Sequence, residues 1–190
     1  TKSKTIAEKA AWEFVSRNPS IKLTTINPVL VWGPGIGNHL HSASLSIFKM
    51  LLKKEQPMVP KIIIPTVDVR DVALGHLKAY ENKHAEGRHI LCTACLDGFG
   101  LMKIIREIEP ELKLPEKIAP MWKIKLFARW EVTKAIFGYT PKISPETVNE
   151  YMNKITNYDS SKAKDVLGWN PIEIQDSIRD TLNWIKQNYS

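Results

Sequence analysis

The chain has 190 residues, with 27 Lys and Arg against 20 Asp and Glu, a net charge of +7 and an isoelectric point near 9.3. A hydrophobic fraction of 43% with 25% charged residues is ordinary for a globular domain and excludes a disordered or fibrous protein. The length allows a sizeable core without a disulfide or metal staple. The apolar run at 45–52 is far below the roughly 20 residues of a membrane span, and residues 1–17 lack the pattern of a secretory signal.

In chain order, Ile6, Ala7, Ala10, Ala11, Phe14 and Val15 recur at helical spacing, which predicts an amphipathic helix over 4–17. Asn18-Pro19-Ser20 stops it. Residues 21–32 are apolar and β-branched and read as one buried strand with Pro28 near its end. The loop Gly33-Pro34-Gly35-Ile36-Gly37-Asn38 follows, then a helix over 42–54. Residues 61–69 read as extended, and Asp71 as the N-cap of a helix running to 82. A strand over 89–93, a helix over 98–109 and a helix over 122–137 come next. In the last of these, Trp122, Leu126, Trp130 and Phe137 share a stripe. Helices over 145–152, 160–167 (closed by Gly168) and 175–187 complete the chain. This alternation predicts an α/β fold, yet two long strands are too few for a whole doubly wound sheet.

Four local patterns carry candidate chemistry. Gly33-x-Gly35-x-Gly37 lies between a strand and a helix, the setting of a dinucleotide loop. However, Asn38 replaces the third glycine and Pro34 removes a backbone donor, so a plain turn is the expectation. His39-x-His41 has no carboxylate cluster nearby and reads as exposed loop histidines. Asp68-Val69-Arg70-Asp71 reads as a helix cap with an Arg–Asp pair. Cys92-Thr93-Ala94-Cys95 follows a strand, where odd spacing would place the thiols on opposite faces. The expectation is therefore small thiols, reduced and metal-free, in a cytoplasmic protein. Residues 117–142 carry six cations against Glu131, a solvated surface by the ordinary reading.

The segment Thr1-Lys2-Ser3-Lys4-Thr5-Ile6-Ala7-Glu8-Lys9-Ala10-Ala11-Trp12 resembles the stretch after the catalytic tyrosine of extended short-chain dehydrogenases/reductases, closest to the dihydroflavonol-reductase-like branch. Their motif is Tyr-x-x-x-Lys; with Lys4 as the lysine, the tyrosine would immediately precede Thr1. Four more segments are similar in the family's order: Asn27-Pro28-Val29-Leu30-Val31-Trp32-Gly33-Pro34, Val67-Asp68-Val69-Arg70-Asp71-Val72-Ala73, Gly87-Arg88-His89-Ile90-Leu91, and Ser161-Lys162-Ala163 with Leu167-Gly168-Trp169-Asn170-Pro171.

The resemblance implies the C-terminal part of a Rossmann-type doubly wound parallel sheet plus the smaller substrate-binding region, with 1–190 as the C-terminal half. The Gly-rich cofactor loop, the catalytic Ser/Thr and the tyrosine would lie in the other half. It implies an NADP (or NAD) cofactor and an aldehyde or ketone substrate. Lys4 would be catalytic and would hold the ribose. Pro28, Val29, Leu30 and Val31 would lie at the nicotinamide, and Ser44 at a phosphate. The charge of Lys4 would lower the tyrosine pKa for acid–base catalysis. Implied partners are a missing N-terminal half and, as a homodimer, a second copy; nucleic acid and membrane are not expected. Within the class, a sugar epimerase/dehydratase or a 3β-hydroxysteroid dehydrogenase are alternatives. Outside it stand a non-catalytic interaction module and a basic protein using 122–134 on nucleic acid or anionic lipid. The chain alone is expected to be inactive.

Overall fold

Parallel two-residue-period ladders and the helices between them organise the chain in the computed structural model, which describes residues 2–36, 43–53, 58–60, 62–135, 138–139, 145, 148 and 157–188. Helix α1 (Lys2–Ser16) leads into β1 (Thr24–Pro28) and β2 (Leu30–Trp32). After α2 (Ala43–Leu52) come β3 (Val59–Pro60), β4 (Ile63–Asp68) and α3 (Val69–Glu81). Then follow β5 (Gly87–Leu91), β6 (Ala94–Asp97), α4 (Gly98–Ile108), β7 (Ile118–Ala119) and α5 (Met121–Ala135). Helices α6 (Ser161–Leu167) and α7 (Ile174–Asn188) close the described chain.

The predicted single strand over 21–32 is two strands with different partners. β1 pairs in parallel with β5, Thr24 opposite Gly87 and Pro28 opposite Leu91. β2 pairs in parallel with β4, Leu30 opposite Thr66. Pro28 has no N–H to carry the ladder onward. At the break, the Val29 amide instead donates to Leu91 O at 3.2 Å. β6 was not expected; it runs antiparallel to β4, Cys95 opposite Pro65. β3 and β7 form a third, parallel pair. The α/β class with parallel pairing therefore holds, and a reversed edge strand is added.

Two cores flank these ladders. The larger joins Trp32, Phe48, Leu101, Ile105, Ile178, Leu182 and Ile185, so α2, α4 and α7 cover β2, β4 and β6. Trp32 meets Phe48 edge to face at 5.1 Å between ring centroids. Burying a side chain such as Phe48 is worth about 1.5–3 kcal/mol. The second core joins Val67, Leu91, Ala163, Leu167 and Trp169, placing α3 and α6 on the opposite side.

Helix capping differs from expectation at α3. Asp68, not Asp71, is the N-cap, accepting from the Arg70 amide at 2.8 Å. Asp71 is in the first turn, where its carboxylate accepts from the Ile172 amide at 3.1 Å. Gly168 closes α6 with φ of 61°, a left-handed conformation that glycine adopts without strain. α5 does not turn its aromatic stripe inward. Ile124 and Ala128 are buried, whereas Trp122, Leu126 and Trp130 are exposed. The Lys134 ammonium sits over the Trp130 ring at 3.3 Å. His39, His41 and most of the predicted helix over 145–152 lie outside the described residues.

Candidate functional site

Pro28 to Val31, expected at a cofactor, span the break between β1 and β2. Open α/β sheets bind ligands beyond the carboxyl ends of their strands, and Pro28 ends β1 there. Pro28 is exposed, and Val29, Leu30 and Val31 are half-buried. Their side chains are committed to packing: Leu30 to the larger core, Val29 and Val31 to the second. Backbone, rather than side chain, is what this segment can present to a ligand. Ser44 is buried in the first turn of α2.

Lys4 is exposed on α1, which has no fully buried residue. The helix is held on the sheet by Glu8, one turn further along the same face. The Glu8 carboxylate accepts from Trp12 Nε1 at 3.3 Å, Thr25 Oγ1 at 3.4 Å and Asn27 Nδ2 at 3.4 Å. Arg88 Nε of β5 lies 2.7 Å away. Burial opposes the charge on Glu8, but these donors and the Arg88 guanidinium hold its carboxyl below the usual range. One carboxylate thus ties the Lys4 helix to both strands of the β1–β5 ladder, next to Pro28. The only sequence signal for this role was the i, i+4 spacing of Lys4 and Glu8.

Asp68 anchors the neighbouring layer. Its side chain is 1% exposed and accepts from Arg70 Nε at 2.9 Å and Ser177 Oγ at 2.6 Å. Arg70 also bonds Asp180 of α7 at 2.7 Å. The cap and Arg–Asp pair expected for this motif are therefore present, with the cap moved to Asp68.

The glycine loop behaves as a packed turn. A Cβ on Gly33, whose φ is 129°, would lie 2.9 Å from Val69 Cγ1 and 3.0 Å from Asp68 Oδ1. One on Gly35 would lie 2.6 Å from the Trp184 ring. These glycines serve close packing against α3 and α7, and that face of the loop has no room for a phosphate. Among the described residues, no cluster of three or more His, Cys, Asp or Glu could hold a metal. Among them, too, no helix is long and apolar enough to cross a membrane.

The cysteine geometry overturns its expectation. Cys92 follows β5 and Cys95 belongs to β6, so the two do not share a strand and side-chain alternation does not separate them. Their sulfurs approach to 3.7 Å, and both thiols are free.

No family model matches the sequence. The chain is 40% identical over 117 residues to a cinnamoyl-CoA reductase of Medicago truncatula, covering 62% of this chain and 35% of that protein. It is 27% identical over 192 residues to the NADPH-dependent methylglyoxal reductase of Saccharomyces cerevisiae, covering 96% of this chain and 49% of the relative. The crystal structure of Gre2 from Candida albicans in complex with NADPH superposes with a TM-score of 0.66 at 27% identity, over 99% of this chain and 51% of the other. The chain thus spans a third to a half of the length of these relatives. The β1–β5 frame, the lysine-bearing helix fixed to it and these likenesses to reductases fit the extended short-chain dehydrogenase/reductase branch that the sequence resembles.

Proposed function

We propose that this chain is the C-terminal half of an NADPH-dependent reductase of small aldehydes or ketones. The remainder of the enzyme, on the same polypeptide or a separate one, brings the Gly-rich pyrophosphate loop, the catalytic Ser/Thr and the tyrosine. The observation that carries this reading is the near end-to-end match of the chain to half of an NADPH-bound reductase. Two structural features support it. Among the described residues β1 pairs on one edge only, with β5. On α1, Ile6 and Phe14 are each 58% exposed. An open parallel edge and an unburied helix are what a further strand and helix layer would cover.

NADPH would supply the hydride. In this reading Lys4 donates to ribose hydroxyls and, four residues from the tyrosine on one helical face, stabilises its phenolate. The tyrosine then gives a proton to the carbonyl oxygen as the hydride arrives. Pro28 to Val31 shape the nicotinamide site through their backbone. Ser44 stands at the start of α2, where helix amides favour a phosphate. Glu8 positions Lys4 by fixing α1 to β1 and β5.

The test pairs this chain with the cofactor-binding half of a relative and measures kcat/KM with NADPH over aldehydes and ketones. Lys4→Ala should reduce it by about 10²–10⁴-fold. Lys4→Arg should fail as well, because a planar fork does not replace a compact ammonium. Lys9→Ala should be near neutral. Full activity of Lys4→Ala would refute the catalytic assignment. Tight NADPH binding by the chain alone in calorimetry would refute the need for the other half.

A further inference from the structure

The cysteine pair is not used by the proposed reduction, and its surroundings are built for more than packing. Cys92 Sγ lies 3.7 Å from Cys95 Sγ and 3.5 Å from Ala94 O. The crossover between β5 and β6 that brings them together is fixed by the Thr93 amide, which donates to Thr66 O at 2.8 Å. Cys92 is pinned further: its amide donates to Ser160 Oγ at 3.0 Å, and that hydroxyl donates back to Cys92 O at 2.9 Å. A disulfide bond is about 2.05 Å long, so closure needs the sulfurs to move together by less than 2 Å.

The two thiols are also unequal. Cys92 is buried and Cys95 is half-exposed. An oxidant in solution therefore meets Cys95 first, while Cys92 waits behind it. Burial pushes the Cys92 thiol up to about 12, and its contact with Cys95 adds to the rise. The contact contribution disappears once the Cys95 sulfur is bonded to another group.

We propose that Cys92 and Cys95 form an oxidisable dithiol that closes to an intramolecular disulfide under a small disulfide oxidant such as oxidised glutathione. The Cys95 thiolate attacks one glutathione sulfur. The glutathione S–S bond breaks, and one glutathione leaves as thiolate and takes up a proton. Cys92, giving its proton to solvent, then attacks Cys95 Sγ and expels the second glutathione. Two protein thiols are oxidised and one glutathione disulfide is reduced to two thiols. The site lies one residue beyond Leu91, whose carbonyl holds the Val29 amide at the β1–β2 break. Closure therefore pulls on the strand end that supports residues 28–31. The dithiol stands on its own geometry and does not depend on the reductase reading.

The test equilibrates the purified chain in glutathione buffers of graded redox ratio. Remaining thiols are then alkylated under denaturing conditions and the intact mass is measured. The expected oxidised product carries no alkyl group and lacks two hydrogens, and dithiothreitol restores two alkylatable thiols. Cys92→Ser should trap one glutathione on Cys95, because the resolving thiol is gone. Cys95→Ser should leave Cys92 unmodified in the native chain. The folded protein should close at a lower ratio of oxidised to reduced glutathione than the same chain in urea. Persistence of two alkylatable thiols, disulfide-linked dimers, or equal midpoints in buffer and urea would each overturn the proposal.

Discussion

Replacing Asp68 by alanine tests the tie between β4, α3 and α7. The carboxylate caps α3 through the Arg70 amide, pairs with the Arg70 side chain and accepts from Ser177 Oγ. Loss of an N-cap costs about 1 kcal/mol. Leaving the buried Ser177 hydroxyl without its acceptor adds about 1–3 kcal/mol. The Arg70 pair adds little, because Arg70 is 41% exposed and keeps Asp180. The sum is about 2–4 kcal/mol, and for a chain of this size roughly 5–15 °C in Tm. Urea denaturation and thermal circular dichroism at neutral pH give both numbers. Arg70→Ala, which leaves the cap and the Ser177 bond in place, should cost less. The pH dependence has a definite sign. Burial pushes Asp68 up, but the Arg70 and Ser177 bonds outweigh it and hold the carboxyl below its ordinary value. Its contribution is therefore present above about pH 4 and is lost as pH falls through the lowered folded value. The gap between wild type and Asp68→Ala should narrow in acid. A cost below about 0.5 kcal/mol, within the range of ordinary surface changes, would refute the role given to this carboxylate. So would a cost smaller than that of Arg70→Ala.

Gly98→Ala should destabilise by about 1–3 kcal/mol, since the added Cβ would stand 2.2 Å from Val59 Cγ1 and 2.9 Å from the Pro60 carbonyl; a neutral result in urea denaturation would show that β3 gives way freely. His89 is fully buried in β5, and burial, with the Lys162 ammonium adding to it, pulls its pKa below the ordinary value. The unfolded chain binds that proton more readily, so stability should fall as pH drops below about 6.5, and His89→Phe should flatten the slope between about pH 7.5 and 5.5. An unchanged slope in thermal unfolding would assign it to other groups.

Local chemistry wrote much of the secondary structure directly into the sequence. The helical spacing at 4–17 gives α1, and Pro110 and Gly168 follow α4 and α6 closely. The segments around Lys4, Asn27-Pro28 and Asp68 carried the family resemblance because their order along the chain is a one-dimensional property. Pairing was not legible in this way. Pro28 marked where a ladder stops, but only the fold assigns β1 to β5 and β2 to β4. The stripe of Trp122, Leu126 and Trp130 on α5 is exposed while Ile124 and Ala128 are buried, because periodicity alone does not say which apolar stripe finds a partner. Asp68 and Asp71 are both acceptable caps by composition. The turn out of β4 and the approach of Ile172 and Ser177, more than 100 residues away, divide their roles. The cysteines show the same limit most clearly. Spacing on one strand predicts separated thiols, whereas a reversal after Leu91 splits the motif between two strands and joins the sulfurs. The sequence by itself determined which residues carry chemistry and the order of the elements. The tertiary structure decided which of those residues meet, because register and reversals bring together positions that no local pattern relates.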